Sequence, residues 1–440
     1  YELHVGAFTP EGTFQAVRTR LDHLTDLGVT AIELMPVAEA PGQRGWGYDG
    51  VYLFAPNSAY GRPEDLKALV QAAHRRGLMV FLDVVYNHFG PEGNLLHHYA
   101  PGFFTERHHT PWGAAINFDG GLRPVRDFFI QNALYWLEEY HLDGLRLDAV
   151  HAIVDESGTH ILEELAEAVA SRYRGQRHVH LVLENDRNEA RYLDRSQNRH
   201  PRYYVAQWSD DIHHAMHVLI TGEDAGYYAD FAERPAHALG RALTEGFAYQ
   251  GDPSPYRGGD LRGEPSAHLP PTAFVSFLQN HDQVGNRAMG ERIVELGAEE
   301  AVRAGIAVLL LAPSPPLLFM GQEWGSRQPF PYFCDFGDDL AEKVREGRRN
   351  EFAKFAAFRD PGSRARIPDP NDPETFAAAV LNWDDTGTVA GRRTLELHRA
   401  LLDLRHSEVV PRLAGTTGHA GTFRVYPDRA ILMQWSLGGG

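Results

Sequence analysis

Short apolar runs and helix-spaced apolar positions alternate along most of this chain. Tyr1 to Val5 reads as a strand. Thr13 then caps a helix whose apolar face is Phe14, Val17, Leu21 and Leu24, closing at Gly28. Ala31 to Met35 predicts a second strand, followed by a glycine-rich aromatic loop at 45–49. Pro63 opens a helix that Gly77 ends. Leu78 to Leu82 is almost continuously apolar, as a strand buried on both faces should be. A helix on Phe129, Ala133, Trp136, Leu137 and Tyr140 leads into a fourth strand at 143–151, and another on Ile161, Leu162, Leu165 and Val169 follows it. Further strands are expected at 178–184, 203–207, 274–278 and 316–320, with two helical stretches before the seventh and a buried helix at 302–311 before the eighth. Residues 340–358 suggest a charged closing helix.

Strand and helix alternating in this way imply an α/β fold. A closed (β/α)8 TIM barrel is favoured over an open sheet. There is no Gly-x-Gly-x-x-Gly turn after the first strand, and the polar clusters sit at the carboxyl ends of several strands rather than at one switch point. Residues 84–125 lose the rhythm and carry many His, Pro, Gly and Asn, so they are expected to be a small subdomain inserted after strand 3. The catalytic barrel is thus expected over 1–360. A linker and the start of a C-terminal β-rich domain follow at 361–440, where 394–405 looks helical and 422–435 alternates as two strands.

Composition narrows the functional classes. With 440 residues the chain can bury a large core, and its net charge of −17 argues against a nucleic-acid partner. The most apolar run, 306–320, is broken by Pro313, Pro315 and Pro316, so no membrane span is expected. The single cysteine, Cys334, excludes an intrachain disulfide and fits a reducing compartment such as the cytoplasm. No basic-then-apolar leader opens the chain, and because it starts directly in a strand without Met, residues upstream of Tyr1 are expected.

The chemistry centres on 143–151. Arg146 and Asp148, two apart on a strand, share one face of a mostly apolar element. Alone, the pair is as consistent with a structural ion pair as with a carboxylate kept ionised to act as a nucleophile. Other strand ends shift the balance. Strand 3 runs into Asp83-Val-Val-Tyr-Asn-His88, strand 5 ends at Glu184, and strand 7 runs into Gln279-Asn-His-Asp282. Asp148, Glu184 and Asp282 would converge on one barrel mouth. That like-charge cost suits pKa tuning better than stability. The expected division has Arg146 keeping Asp148 ionised while surrounding charge and burial keep Glu184 protonated, as retaining glycoside hydrolysis requires.

These four ordered segments resemble the signature regions of the α-amylase family of glycoside hydrolases over residues 1 to about 360. The resemblance implies that Asp148 is the nucleophile, Glu184 the general acid and base, and Asp282 the transition-state stabiliser. It places His88, Arg146 and His281 around the sugar at the cleavage point and Tyr48 beneath it. The segments 184–188, 208–214, 221–228 and 332–338 are similar to the branch of that family that cleaves the α-1,4-glucosidic bond next to the terminal trehalose of an oligosaccharide and releases trehalose. Members of that branch carry a β-sandwich ahead of the barrel. Trp324, Tyr332, Phe333, Asp335 and Asp338 have the right chemistry to grip the trehalose unit, although the same residues could equally form core and loop lining. The alternatives are an α-glucan branching or debranching enzyme, or a non-catalytic sugar-binding relative that would have no reason to keep all three carboxylates. His213 and His217 share a helix face, but no Glu follows the first His, so a zinc site is not expected. The inserted segment has no dense acidic run, so no calcium, no other metal and no cofactor is expected.

Overall fold

The structure is a computed structural model and describes residues 1–110, 113–196, 200–427 and 430–438. Eight short parallel strands form one sheet: β1 (Glu2–Leu3), β2 (Ala31–Leu34), β3 (Met79–Val84), β4 (Gly144–Leu147), β5 (His180–Leu183), β6 (Ala206–Trp208), β7 (Phe274–Phe277) and β8 (Pro316–Leu317). Neighbours in sequence are neighbours in the sheet, in parallel register from Glu2↔Glu33 around to Phe277↔Leu317. The sheet closes at Glu2. Its N–H donates to Leu318 O at 2.9 Å and its carbonyl accepts from Met320 N at 2.9 Å. The (β/α)8 barrel expected from the alternation is therefore present.

The first strand is shorter than its apolar pattern suggests, because Val5–Phe8 turns into a short helix. The first long helix is split. Thr13 caps Phe14–Arg18, and a second segment, α1 (Leu21–Leu27), ends at Gly28 with φ +97. The outer layer continues with α2 (Pro63–His74), α3 (Arg123–Glu139), α4 (Ile161–Tyr173), α5 (Asp210–Thr221), α6 (Glu299–Leu311) and α7 (Val389–Leu404). Between β5 and β6 only a 3-10 turn, Ala190–Leu193, appears among the described residues, so the alternation is incomplete there. No helical apolar face runs through 184–205, which accounts for the gap.

Inside the barrel Val182, Trp208, Phe277 and Leu317 form a separate apolar cluster with Phe81 and Val275 against it. Above it the inward side chains turn polar: Glu2, Glu33, Asp83 and Arg146 are all buried. The insertion after β3 carries an antiparallel strand pair, Phe104–Thr110 with Gly113–Ile116, whose register shifts between Thr105 and His109. After residue 360 short helices precede α7, and a hairpin, Gly421–Val425 with Ile431–Trp435, begins the C-terminal β structure. This region is bound to the barrel. Arg405 donates to the carbonyls of Leu310 (3.1 Å) and Ser314 (2.8 Å), and Trp383 Nε1 donates to Phe8 O at 2.6 Å.

Candidate active site

One guanidinium organises the carboxyl end of the barrel. Arg146 is fully buried on β4, and its register partner on β3 is Asp83. Its Nη1 donates to Asp83 Oδ2 at 2.6 Å and to Asp148 Oδ1 at 3.1 Å, while Nη2 lies 2.8 Å from Glu184 Oε2. Its flat face lies 4.1 Å from the Trp208 ring centroid, so the cation is enclosed on every side. Asp148 sits one residue beyond the strand. The chain then turns through Ala149, which adopts φ +39. A non-glycine residue held in the left-handed region costs on the order of 1 kcal/mol, and such strain gathers at functional sites. Here the turn aims the Ala149 N–H at Glu184 Oε2, 2.7 Å away.

Tyr48, His88 and His281 join the same mouth. Tyr48 Oη donates to Asp83 Oδ2 at 2.6 Å and lies 2.7 Å from His281 Nε2. The Tyr48 and His281 rings stack at 5.1 Å. His88 Nε2 contacts Tyr48 O at 2.9 Å, and burial pushes its imidazole down to about 4, so it is neutral near pH 7. Gly47 makes the close approach of this loop possible. Its φ is +102, and a Cβ there would lie 2.0 Å from Pro36 O. Asp282 Oδ1 lies 3.6 Å from His281 Nε2 and bonds Asn286 Nδ2 at 3.2 Å.

The charge division differs from the expected one. Burial raises Asp148 well above the ordinary carboxylate range, the neighbouring Glu184 charge adds to this, and Arg146 offsets only part of it. Burial also acts on Glu184, but Arg146 and the Ala149 N–H outweigh it, so its pKa is lowered. The geometry explains the reversal. Asp148 shares Nη1 with the closer Asp83, whereas Glu184 receives Nη2 and a backbone N–H. Burial and the Glu184 charge thus act upward on Asp148, while Arg146 and the Ala149 N–H act downward on Glu184. Asp282 is raised by burial, with His281 opposing, and Asp83 is pushed up to about 6 by burial despite Arg146.

Beside Glu184 and Asp282 opens a cavity of about 310 Å³, also lined by Asp186, Asp210, Tyr227, Tyr256 and Arg257. Asp186 is paired with Arg257 and lies 3.3 Å from Arg262 Nη2; these cations lower its pKa against the effect of burial. Burial, together with Glu184 and Asp186, raises Asp210 well above its usual range. The residues on 208–214 and 221–228 belong to segments marked by the sequence resemblance. Tyr256, Arg257 and Arg262 carry no sequence signal, since they lie in an irregular stretch between α5 and β7.

The residues expected to grip the trehalose unit separate into groups. Phe333 is a core residue with no exposure, and Trp324 is buried against His23 and Trp383. Both therefore lack a free face for a sugar, and the apolar surroundings of the last barrel turn explain why. Tyr332 meets Trp46 edge-on at 5.2 Å. Asp335 is paired with Arg44 at 2.5 Å and accepts from Gln43 N at 2.7 Å, and Asp338 opens the helix Asp338–Glu351. Neither lines the cavity beside Asp282. Glu323 is also structural, accepting from Tyr1 Oη at 3.0 Å and contacting His23 Nε2 at 2.9 Å. His213 contacts Leu278 O at 2.6 Å, and His217 stacks on Tyr228 at 4.2 Å while contacting Glu223 at 2.7 Å. Among the described residues, His108, Asp119 and Glu156 form one group spaced as metal ligands, but Asp119 is already paired with Arg107 and His108.

The sequence profile of the alpha amylase catalytic domain matches residues 5–109. The malto-oligosyltrehalose trehalohydrolase of Deinococcus radiodurans is 44% identical over 455 aligned positions, covering 100% of this chain and 72% of its own length. The chain belongs to the malto-oligosyltrehalose trehalohydrolase family. Another member, from Saccharolobus solfataricus, is 42% identical over 92% of this chain and 68% of its own length. The crystal structure of a Salmonella typhimurium protein assigned as an alpha amylase superposes with a TM-score of 0.95 at 49% identity. It matches 100% of this chain over 74% of the crystallised chain. The match to that crystal structure therefore extends over the whole chain, C-terminal region included.

Proposed function

We propose that this chain is a retaining glycoside hydrolase that cleaves the α-1,4-glucosidic bond adjacent to the terminal trehalose of maltooligosyltrehalose and releases trehalose. The observation that carries the reading is Arg146 bridging Asp148 and Glu184 beside a cavity of about 310 Å³, in a chain whose curated relatives have that activity in their name. Two carboxylates held by one guanidinium favour the narrow spacing, about 5–5.5 Å, of retaining enzymes over the wider one of inverting enzymes.

In the proposed mechanism the glucan chain lies with its terminal ring by Tyr48, His88 and His281, and trehalose occupies the Glu184 and Asp282 side. Binding supplies an acceptor, the glycosidic oxygen, opposite Glu184. That acceptor favours a protonated Glu184, so the proton shared by the pair resides there and Asp148 is anionic for attack. Glu184 then protonates the leaving oxygen while Asp148 attacks the anomeric carbon from the opposite face. Asp282 faces the positive charge that develops on the ring, and trehalose departs with its new hydroxyl. Glu184, now a base, takes a proton from water. The hydroxide equivalent displaces Asp148 and regenerates both groups.

Residues 1–360 with the 84–125 insertion are proposed as the catalytic unit, and 361–440 as a linker and β-rich region that support it. No helix among the described residues is long and apolar enough to cross a membrane. The single buried cysteine suits a cytoplasmic setting. No metal or cofactor enters the proposed chemistry.

The test is product identification. Offered maltooligosyltrehalose, a plain maltooligosaccharide and a branched glucan, the protein is expected to release trehalose from the first as its dominant product. Activity only on the other two would point to a debranching or branching enzyme, and no turnover of any to a sugar-binding relative.

A further inference from the structure

Glu2 is a charged residue with no place in the mechanism above, yet it is 1% exposed at the point where the barrel closes. A carboxylate there needs partners, and His281 supplies both of them. The backbone N–H of His281 donates to Glu2 Oε2 at 3.0 Å, and its Nδ1 lies 2.5 Å from Glu2 Oε1. Such two-point contact fixes both the position and the ring orientation of His281.

The chain of contacts runs on from there. His281 Nε2 meets Tyr48 Oη at 2.7 Å, Tyr48 donates to Asp83 at 2.6 Å, and Asp83 accepts from Arg146 at 2.6 Å. Tyr48 has one proton to give. If His281 Nε2 carried no hydrogen, the tyrosine would have to choose between it and Asp83. If both ring nitrogens carry hydrogen, Nε2–H donates to Tyr48 and the tyrosine proton is free for Asp83. Glu2 facing Nδ1 and Asp282 near Nε2 favour the second arrangement. We propose that Glu2 is a positioning residue for glycoside cleavage, acting through His281 to hold Tyr48 and Asp83 in one donor-to-acceptor order beneath the sugar.

The electrostatics agree. Burial alone would push the imidazole of His281 down; Asp282 and Glu2 reverse this and hold it up at about 9. The other charged or titratable groups around it are Tyr48, Asp83, Arg146, Glu184 and His4. Of these, burial pushes His4 down to about 4, so it is neutral and does not compete for the role.

The inference rests on the site roles proposed above. Every rate is therefore taken as a ratio to the unaltered protein, so a wrong nucleophile would show in Asp148→Asn and leave this test readable. Glu2→Gln keeps the shape and removes the charge. Its turnover of maltooligosyltrehalose is expected to fall about 10- to 100-fold at pH 8 with KM changed less than about three-fold. The loss should shrink several-fold at pH 5, where His281 is protonated without help. In a His281→Gln background the same change should cost less than about two-fold. Where Glu2→Gln does not fold, Glu2→Asp retains the charge and should show a smaller loss that does not vary with pH. A loss independent of pH in Glu2→Gln, or one that adds in full to that of His281→Gln, would reduce Glu2 to a strut of the barrel and overturn the proposal.

Discussion

Asp148→Asn is expected to lower turnover by about four orders of magnitude or more, on the scale seen when a covalent nucleophile is removed. The side chain keeps its volume, and its amide oxygen can still accept from Arg146 Nη1, which lies 3.1 Å away in the unaltered protein. The fold should survive, and its thermal midpoint at neutral pH should be no lower. The sign follows from linkage. Burial raises Asp148 in the folded state above its unfolded value, so the folded form binds more protons and stability falls as pH rises through that interval. An amide removes this penalty. The variant should therefore gain on the unaltered protein as pH rises from about 4 toward neutrality and match it below. A fall in melting temperature together with the loss of activity would mean that Asp148 is a structural ion-pair residue.

Arg146→Met should produce the largest stability change. The substitution leaves Asp83, Asp148 and Glu184 facing one another around an apolar side chain, after each had a contact with the guanidinium. Removing one partner of a buried pair costs about 3–5 kcal/mol, because the remaining charge is left uncompensated. Three carboxylates sharing the loss place this variant at the upper end. Without the cation all three would have folded-state values above their unfolded ones. The deficit should therefore be smallest below about pH 4 and grow as pH rises to neutrality. Denaturant unfolding at pH 4 and at pH 7 measures this difference. An equal deficit at both would show that lost packing on Trp208, rather than lost charge, dominates.

The sequence made the barrel legible because its strands are short apolar runs separated by helices with clear apolar faces. Between β5 and β6, 184–205 offers polar residues with no period, and among the described residues the structure likewise has only a short 3-10 turn there. The residues of the mouth were legible because each follows a strand, and in a parallel barrel all such ends meet. Their charge state was not. Glu184 is lowered first by Arg146 and then by the backbone N–H of Ala149, and nothing in an alanine announces a left-handed turn. Trp324 and Phe333 illustrate the converse. An aromatic near a carboxylate in sequence has the chemistry to hold a sugar, but only three-dimensional packing tells whether a ring face is free. Glu2 was read simply as a strand residue, since its partner His281 is 279 positions away.

In the proposed cycle Asp148 becomes covalently bonded to the sugar while Glu184 handles the proton. A fluorinated glucosyl donor that forms the intermediate readily and hydrolyses it slowly would trap that bond. Proteolysis and mass mapping then locate it. One glycosyl unit is expected on the peptide containing Asp148, none in Asp148→Asn, and product released with retained anomeric configuration. An adduct on the peptide containing Glu184 or Asp282, or inverted product with no adduct, would contradict it.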